Sequence, residues 1–336
     1  MKYNEIIGSF NFNMLFEGGN AFKDPKVDDL ITRIKREDID KTLHFVASTL
    51  KISGIDYDYL KTHMMGSAGK QADSGDLDIA VNAEDQYRPF MNKVVLAFPK
   101  TMLNNIAAIT KQKLGDQYVV TSGLPSGQIN TAWPIAGDIN NGLVQIDFIH
   151  GDADWLKFSH WSPGDISPYK GVWISTMLGV LAKLKKIYQY PVKVNNPLER
   201  KARLGWTYDL EKGLNLSAQA QKKEGMGMSK MDPDDWESYV GRKWPESNPP
   251  RIPRVGYVKN PDDVVRILLG DDVTPNHIRT FEDMWNVIKQ KSLDGDGTIP
   301  YSSNDIKQRF GEALVRSSTG KDFKNLDDIL NADVFK

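Results

Sequence analysis

The chain of 336 residues has no cysteine, which excludes disulfides, thiolate catalysis and cysteine-zinc sites. Its five histidines are scattered and form no His-Glu-x-x-His pattern, so a histidine metal centre is not expected either. No run approaches the ~18 consecutive apolar residues of a membrane span, and Met1-Lys2-Tyr3-Asn4-Glu5 opens no signal-peptide apolar region. The expected location is therefore cytoplasmic, with no membrane partner. Excess positive charge is missing as well. A formal net charge of −1 is not that of a dedicated duplex-DNA binder, whose affinity is dominated by phosphate contacts. Lys183, Lys185 and Lys186, the pair Lys222-Lys223, and Arg251 with Arg254 are local basic groups that read as solvated faces. The composition, 40% hydrophobic and 26% charged, is that of an ordinary globular protein, and the length suits about two domains.

Against this background the stretch from Met64 to Val81, MMGSAGKQADSGDLDIAV, stands out. It reads as a short apolar strand, a Gly-Ser turn, a small polar loop and a second strand. Residues two apart in a strand share a face, so Asp76 and Asp78 stand side by side while Leu77, Ile79 and Val81 point into a core. Adjacent carboxylates repel, and a cation is needed between them. Hard oxygen ligands on a rigid strand suit Mg²⁺, with Mn²⁺ as the substitute ion. A third carboxylate follows in Leu143–Ile149, where Val144, Ile146 and Phe148 share one face and Asp147 lies on the other. Taken alone, an Asp-x-Asp favours aspartates that cap or solubilise an edge strand over a metal site, because exposed acids are common; the preceding apolar residues, the tight spacing and Asp147 reverse that preference.

The Gly-Ser turn, the Asp-x-Asp strand and the later single Asp together resemble the nucleotidyltransferase superfamily typified by DNA polymerase β. The run Ser74-Gly75-Asp76-Leu77-Asp78 is similar to the Ser/Gly-Asp-x-Asp of its polymerase members, and Lys70 falls near their basic residue. Phe158-Ser159-His160-Trp161-Ser162-Pro163-Gly164 resembles their aromatic-then-Gly segment beside the incoming sugar. Gly18-Gly19-Asn20 is similar to a segment of uncharacterised nucleotidyltransferases of tailed phages, for which the compartment would be the host cytoplasm. The resemblance implies a catalytic, ATP- or other NTP-binding fold in which Asp76, Asp78 and Asp147 hold two Mg²⁺ ions. By the same resemblance Gly66, Ser67, Lys70 and Trp161 bind the nucleotide. The implied reaction moves a nucleoside monophosphate from an NTP to an acceptor hydroxyl and releases pyrophosphate. The acceptor stays open between an RNA or DNA 3′ end and a protein or small molecule, and a non-catalytic nucleotide sensor is the reading from another class. Lys70 as a solvated loop lysine and Trp161 as a core aromatic are the plain alternatives.

Two other motifs fail on spacing. Gly69-Lys70 would need a glycine at Met64 and Ser or Thr at Gln71 to be a P-loop. Ser292–Ile299 has a calcium-loop look, but Ser292 and Ser303 occupy the end positions that need acids, so it reads as a turn.

The expected fold class is α+β: a polymerase β-like core over residues 1–196, with a mixed sheet flanked by helices, then a mostly helical accessory domain over residues 197–336. Ile39, Leu43, Val46, Ala47 and Leu50 mark a helix ahead of the Asp-x-Asp strand, and further helices are expected at Glu84–Phe98 and Met102–Leu114. Strands are expected at Gln117–Thr121, Gln128–Ile135 and Leu143–Ile149. A long helix carrying Trp173, Met177, Val180, Leu181, Leu184, Ile187 and Tyr188 is expected to brace the sheet. Beyond Pro197, Ala202–Asp209 and Leu214–Ala220 suggest a hairpin, Lys222–Arg254 a long loop or linker, and Pro261–Leu269, Pro275–Lys289 and Asn304–Val315 helices.

Overall fold

The computed structural model describes residues 21–22, 24–82, 101–169, 171–189, 202–220, 229–231, 233–243, 245, 257–317 and 325–335. Gly18-Gly19-Asn20 and the expected helix Glu84–Phe98 lie outside the described residues. The protein is α+β and divides into two compact units, whose described parts fall within residues 16–172 and 173–336. The division comes at Val172/Trp173, ahead of the expected Asn196/Pro197.

The first unit holds strands β1 (Ile34–Lys35), β2 (Met64–Met65), β3 (Asp73–Ser74), β4 (Asp76–Asn82), β5 (Val119–Val120), β6 (Gln128–Pro134) and β7 (Leu143–Gly151). Its helices are α1 (Pro25–Asp28), α2 (Arg36–Leu50), α3 (Tyr57–His63), α4 (Thr101–Leu114) and α5 (Ala153–Ser159). Five strands form one mixed sheet in the order β2-β4-β7-β6-β5, in which β4 and β7 run parallel and the other neighbours antiparallel. Alternation decides which face is covered. Leu77, Ile79 and Val81 of β4 and Val144, Ile146 and Phe148 of β7 are buried in one cluster with Ile39, Leu43, Val46 and Leu50 of α2 and Leu103 and Ile106 of α4. The opposite face carries Asp76 and Asp78 beside Gln145 and Asp147. The side chain of Asp56 caps α3 at the Tyr59 amide, and that of Asp152 caps α5 at the Trp155 amide, so both short helices start where a carboxylate satisfies a first-turn N–H.

The second unit carries more strand than the sequence announced. It contains β8 (Lys186–Gln189), β9 (Ala202–Asp209), β10 (Gly213–Ala220) and β11 (Ser229–Met231), an antiparallel sheet in the order β11-β10-β9-β8. Helix still outweighs strand among the described residues beyond Pro197, and the expected hairpin is widened into a four-stranded sheet by β8 and β11. Helices α6 (Gly171–Leu184), α7 (Pro233–Lys243), α8 (Pro261–Leu269), α9 (Phe281–Lys291), α10 (Ser303–Ser317) and α11 (Leu326–Leu330) complete the described elements. The long helix ends at Leu184, and Ile187 and Tyr188 belong to β8, where β-branched and aromatic residues favour a pleated strand. Nearly all of α6 falls in the second unit, where Trp173 meets Phe281 and Phe310 at ring-centroid distances of 4.9 and 5.3 Å. The expected β9–β10 hairpin is present, its turn held by two backbone amides donating to Asp209 Oδ1. The expected linker Lys222–Arg254 instead includes β11 and α7, and α7 buries Trp236 and Val240 against Leu204, Leu216 and Ala218. Pro275–Lys289 splits into a 3-10 turn at Pro275–Ile278 and then α9, whose first-turn amide at Asp283 is capped by Thr280. Similarly, Gln117–Thr121 begins in a 3-10 turn, leaving Val119–Val120 as strand. In the turn at Ser292–Ile299, Lys291 bridges Asp272 and Asp296, each at 2.8 Å, and Asp294 accepts from Ser303.

Candidate metal centre

Register brings the three acids together. In the parallel β4–β7 pair, Asp78 faces Asp147 and Asp76 faces Gln145, so all four side chains stand on the face away from the apolar cluster. One carboxylate oxygen from each of Asp76, Asp78 and Asp147 lies within 4.8 Å of the other two. Among the described residues this is the one group of three acids or histidines so placed. Asp147 is 3% exposed, and Asp76 and Asp78 are half-buried. Burial and the charge of Asp147 push Asp78 up to about 7; burial and the charge of Asp76 push Asp147 up to about 7, against the pull of its hydrogen-bond donors. Acids desolvated and crowded in this way are relieved by a positive charge. A hard divalent cation supplies it, so the donor set fits Mg²⁺.

Asp147 is held by three carboxamides that the sequence pattern alone did not single out. Asn130 Nδ2 donates to its Oδ1 at 2.7 Å, Gln145 Nε2 to the same oxygen at 2.9 Å, and Gln128 Nε2 to Oδ2 at 3.3 Å. Neutral donors fix a carboxylate without neutralising it, so its charge stays available to a cation. The signal was present in the alternation: Gln145 is two before Asp147, and Gln128 and Asn130 flank Ile129 on β6, directly beside β7.

The Gly-Ser turn follows β2, where Met65 pairs with Asp78. Gly66 has φ +70°, and a Cβ built on it would come 2.9 Å from Asp78 Oδ2. Only glycine fits there. Ser67 Oγ is 3.4 Å from Ser74 Oγ, which donates to the Asp76 carbonyl at 2.9 Å, so the turn is fastened to the start of β4. The rest of the loop is anchored by α2, because Arg36 donates to the Gln71 carbonyl at 2.8 Å and to that of Lys70 at 2.9 Å. Arg33 pairs with Asp73 at 2.7 Å. Sequence reasoning also missed these arginines, which lie well ahead of the motif, Arg33 just before α2 and Arg36 at its first residue.

Lys70 and Trp161, expected separately as nucleotide contacts, meet each other. Lys70 Nζ lies 3.8 Å from the centroid of the Trp161 ring and donates to the Ser162 carbonyl at 3.0 Å. Gly164, with φ +66°, allows this approach, since a Cβ on it would stand 2.8 Å from Lys70 Cβ. The lysine is therefore no solvated loop cation. Its partial burial lowers its pKa from the ordinary value.

Among the described residues no helix is long and apolar enough to cross a membrane. Comparison with protein-family models, with curated proteins and with solved structures returns no match. What can be said of function therefore stands on the geometry of the triad and its loop.

Proposed function

We propose that the protein is a Mg²⁺-dependent nucleotidyltransferase with a polymerase β-like core, moving a nucleoside monophosphate from an NTP to an acceptor hydroxyl and releasing pyrophosphate. The observation that carries this reading is the triad itself. Three carboxylates from two parallel strands converge, and a Gly-Ser turn closes directly against one of them. Asp76, Asp78 and Asp147 would hold Mg²⁺, which when bound compensates charge on a reacting phosphate and favours a nucleophilic oxygen at neutral pH.

The remaining work falls to the chain's own residues. Asn130, Gln145 and Gln128 orient Asp147. The Gly66–Lys70 loop offers backbone N–H groups in two positive-φ turns, at Gly66 and Gly69, the type of concavity that accepts phosphate oxygens. Lys70 neutralises the departing pyrophosphate by exchanging the Ser162 carbonyl for a phosphate oxygen. That exchange releases the Trp161 ring to cover the nucleoside. A pure nucleotide sensor has no need of three convergent carboxylates, which disfavours that alternative.

The test is incubation of the protein and Mg²⁺ with each α-labelled NTP in turn and a mixed pool of RNA, DNA and protein acceptors. Covalent label on one acceptor with pyrophosphate release is the expected result. Tight NTP binding with no transfer to any acceptor would replace the enzyme with the sensor.

Lys70→Ala should weaken NTP binding roughly 10-fold or more, the size of one charge-assisted contact of about 1.5–3 kcal/mol, and leave Mg²⁺ affinity unchanged. Calorimetric titration of both ligands decides it. Equal NTP affinities would leave Lys70 as a clamp on Trp161 and nothing more.

A further inference from the structure

A polar atom on the acid face of the first unit finds no partner among the described residues. Gln145 is 1% exposed, and its Nε2 donates to Asp147 Oδ1 at 2.9 Å. The opposite orientation of the amide would set its oxygen against a carboxylate oxygen at that distance, so the carbonyl is the end left over. Its Oε1 is buried and accepts no hydrogen bond from the described residues. A buried acceptor without a donor costs stability, and native chains rarely keep one without a use.

The neighbours of Gln145 explain why no donor reaches that oxygen. Across the sheet it lies between Asp76 on β4 and Ala132 on β6, and along β7 Leu143 and Asp147 share its face. Ala132 and Leu143 belong to a buried apolar cluster with Phe22 and Val27, which closes that side. Asp76 and Asp147, when ionised, accept and do not donate. What remains is the space the three acids share. From the Nε2 contact of 2.9 Å and the O···N span of about 2.2 Å within an amide, Oε1 lies no more than about 5 Å from Asp147 Oδ1. That is the scale of the 4.8 Å within which the acid oxygens themselves fall.

We infer that Gln145 Oε1 is a fourth oxygen ligand of the cation held by Asp76, Asp78 and Asp147, which rests on the metal reading of the triad and not on the transfer reaction. Burial suits the role, because the ligand is a bare ion that fits between side chains already buried, Asp147 itself being 3% exposed. A carboxamide oxygen is a hard donor of the kind that Mg²⁺ and Mn²⁺ accept. It also adds a ligand without adding negative charge, as a fourth acid beside Asp76 would. The two ends of the side chain then have separate uses. Asn130 already donates to Asp147 Oδ1 at 2.7 Å, so the N–H of Gln145 is a second donor to an oxygen that has one, and the carbonyl is the end whose use the cation supplies.

The probe is Mn²⁺ alone, bound to the full chain made by cell-free synthesis with glutamine carrying ¹³C at the side-chain carbonyl. Electron–nuclear double resonance should show the ¹³C coupling of a direct ligand in the wild type, and that coupling should be absent from Gln145→Glu made in the same way. Calorimetric titration with Mn²⁺ separates the two ends of the side chain. Gln145→Met loses both and should bind at least tenfold more weakly. Gln145→Glu keeps the oxygen and loses the donor, and should bind no more weakly than the wild type. No ¹³C coupling in the Mn²⁺-loaded wild type, a coupling that persists in Gln145→Glu, or a Gln145→Glu affinity as low as that of Gln145→Met would each overturn the ligand and leave Gln145 as a support for Asp147. The spectrum of the wild type decides even where a variant fails to fold. The two proposals fail separately. Mn²⁺ coupled to Gln145 with no transfer to any acceptor sinks the transferase and keeps the ligand, whereas metal-dependent transfer without the coupling sinks the ligand alone.

Discussion

Asp78→Asn should cut nucleotidyl transfer by more than about 100-fold while making the metal-free protein more stable at pH 8. The first half follows from position: loss of even a supporting group around a metal commonly costs roughly 10–100-fold, and Asp78 would be a ligand. The second half follows from charge. Asp78 and Asp147 have folded-state pKa values raised from 3.8 to about 7, so between those values the folded chain keeps protons that the unfolded chain has released. Their contribution to stability is complete below about pH 4 and is lost as the pH rises through 7. Asparagine removes one charge of the pair. Melting in EDTA should therefore show the variant several degrees above the wild type at pH 8, the gap closing as the pH is lowered toward 5. Adding Mg²⁺ should raise the melting temperature of the wild type and leave the variant nearly unmoved, since a ligand stabilises only the state that binds it. Transfer near the wild-type rate, or a stability gap independent of pH, would remove Asp78 from the metal site.

Gly66→Ala should lower Mg²⁺ affinity by more than tenfold without unfolding the protein. At φ +70° an alanine costs about 1–2 kcal/mol of backbone strain, and its methyl group would also stand 2.9 Å from Asp78 Oδ2. Both effects act, but only the second reaches the acids. Gly54 provides the control, with φ +83° and nothing within 4 Å of the place a methyl group would take. Gly54→Ala should cost similar stability and leave Mg²⁺ affinity as it was. Equal Mg²⁺ affinities for the two variants would mean that the turn does not shape the site.

The acids themselves were legible because strand periodicity is a local property. Asp76 and Asp78 had to share a face, and Val144, Ile146 and Phe148 had to turn Asp147 to the opposite one. What alternation cannot tell is which strand lies beside which, and the parallel β4–β7 neighbourhood is a non-local fact. The carboxamides on β6 were hidden for the same reason, since Gln128 and Asn130 matter only once β6 is known to pair with β7. In the second unit the hairpin was visible from its turn residues, but its flanking strands were not. Ile187 and Tyr188 continue the helical spacing of α6 by coincidence, and Ser229–Met231 is too short and polar to announce a strand. The contact between Lys70 and Trp161 was hidden because the two residues come from distant segments.

Parallel strands cannot be joined by a tight turn, and here the connection from β4 to β7 takes in α4, β5 and β6. The centre therefore tolerates changes of length very unevenly. An extra residue in the Ile139–Gly142 turn is absorbed at the surface, where the backbone loops before β7 begins. The same extra residue between Leu143 and Asp147 would slide the strand by one step, send the carboxylate into the oily side of the sheet and bring a hydrocarbon side chain beside Asp76 and Asp78. Over evolutionary time, insertions in this half of the chain should accumulate outside β4 and β7 and stop abruptly at their edges, so the spacing within each strand is a more durable mark of the centre than the identity of any residue around it.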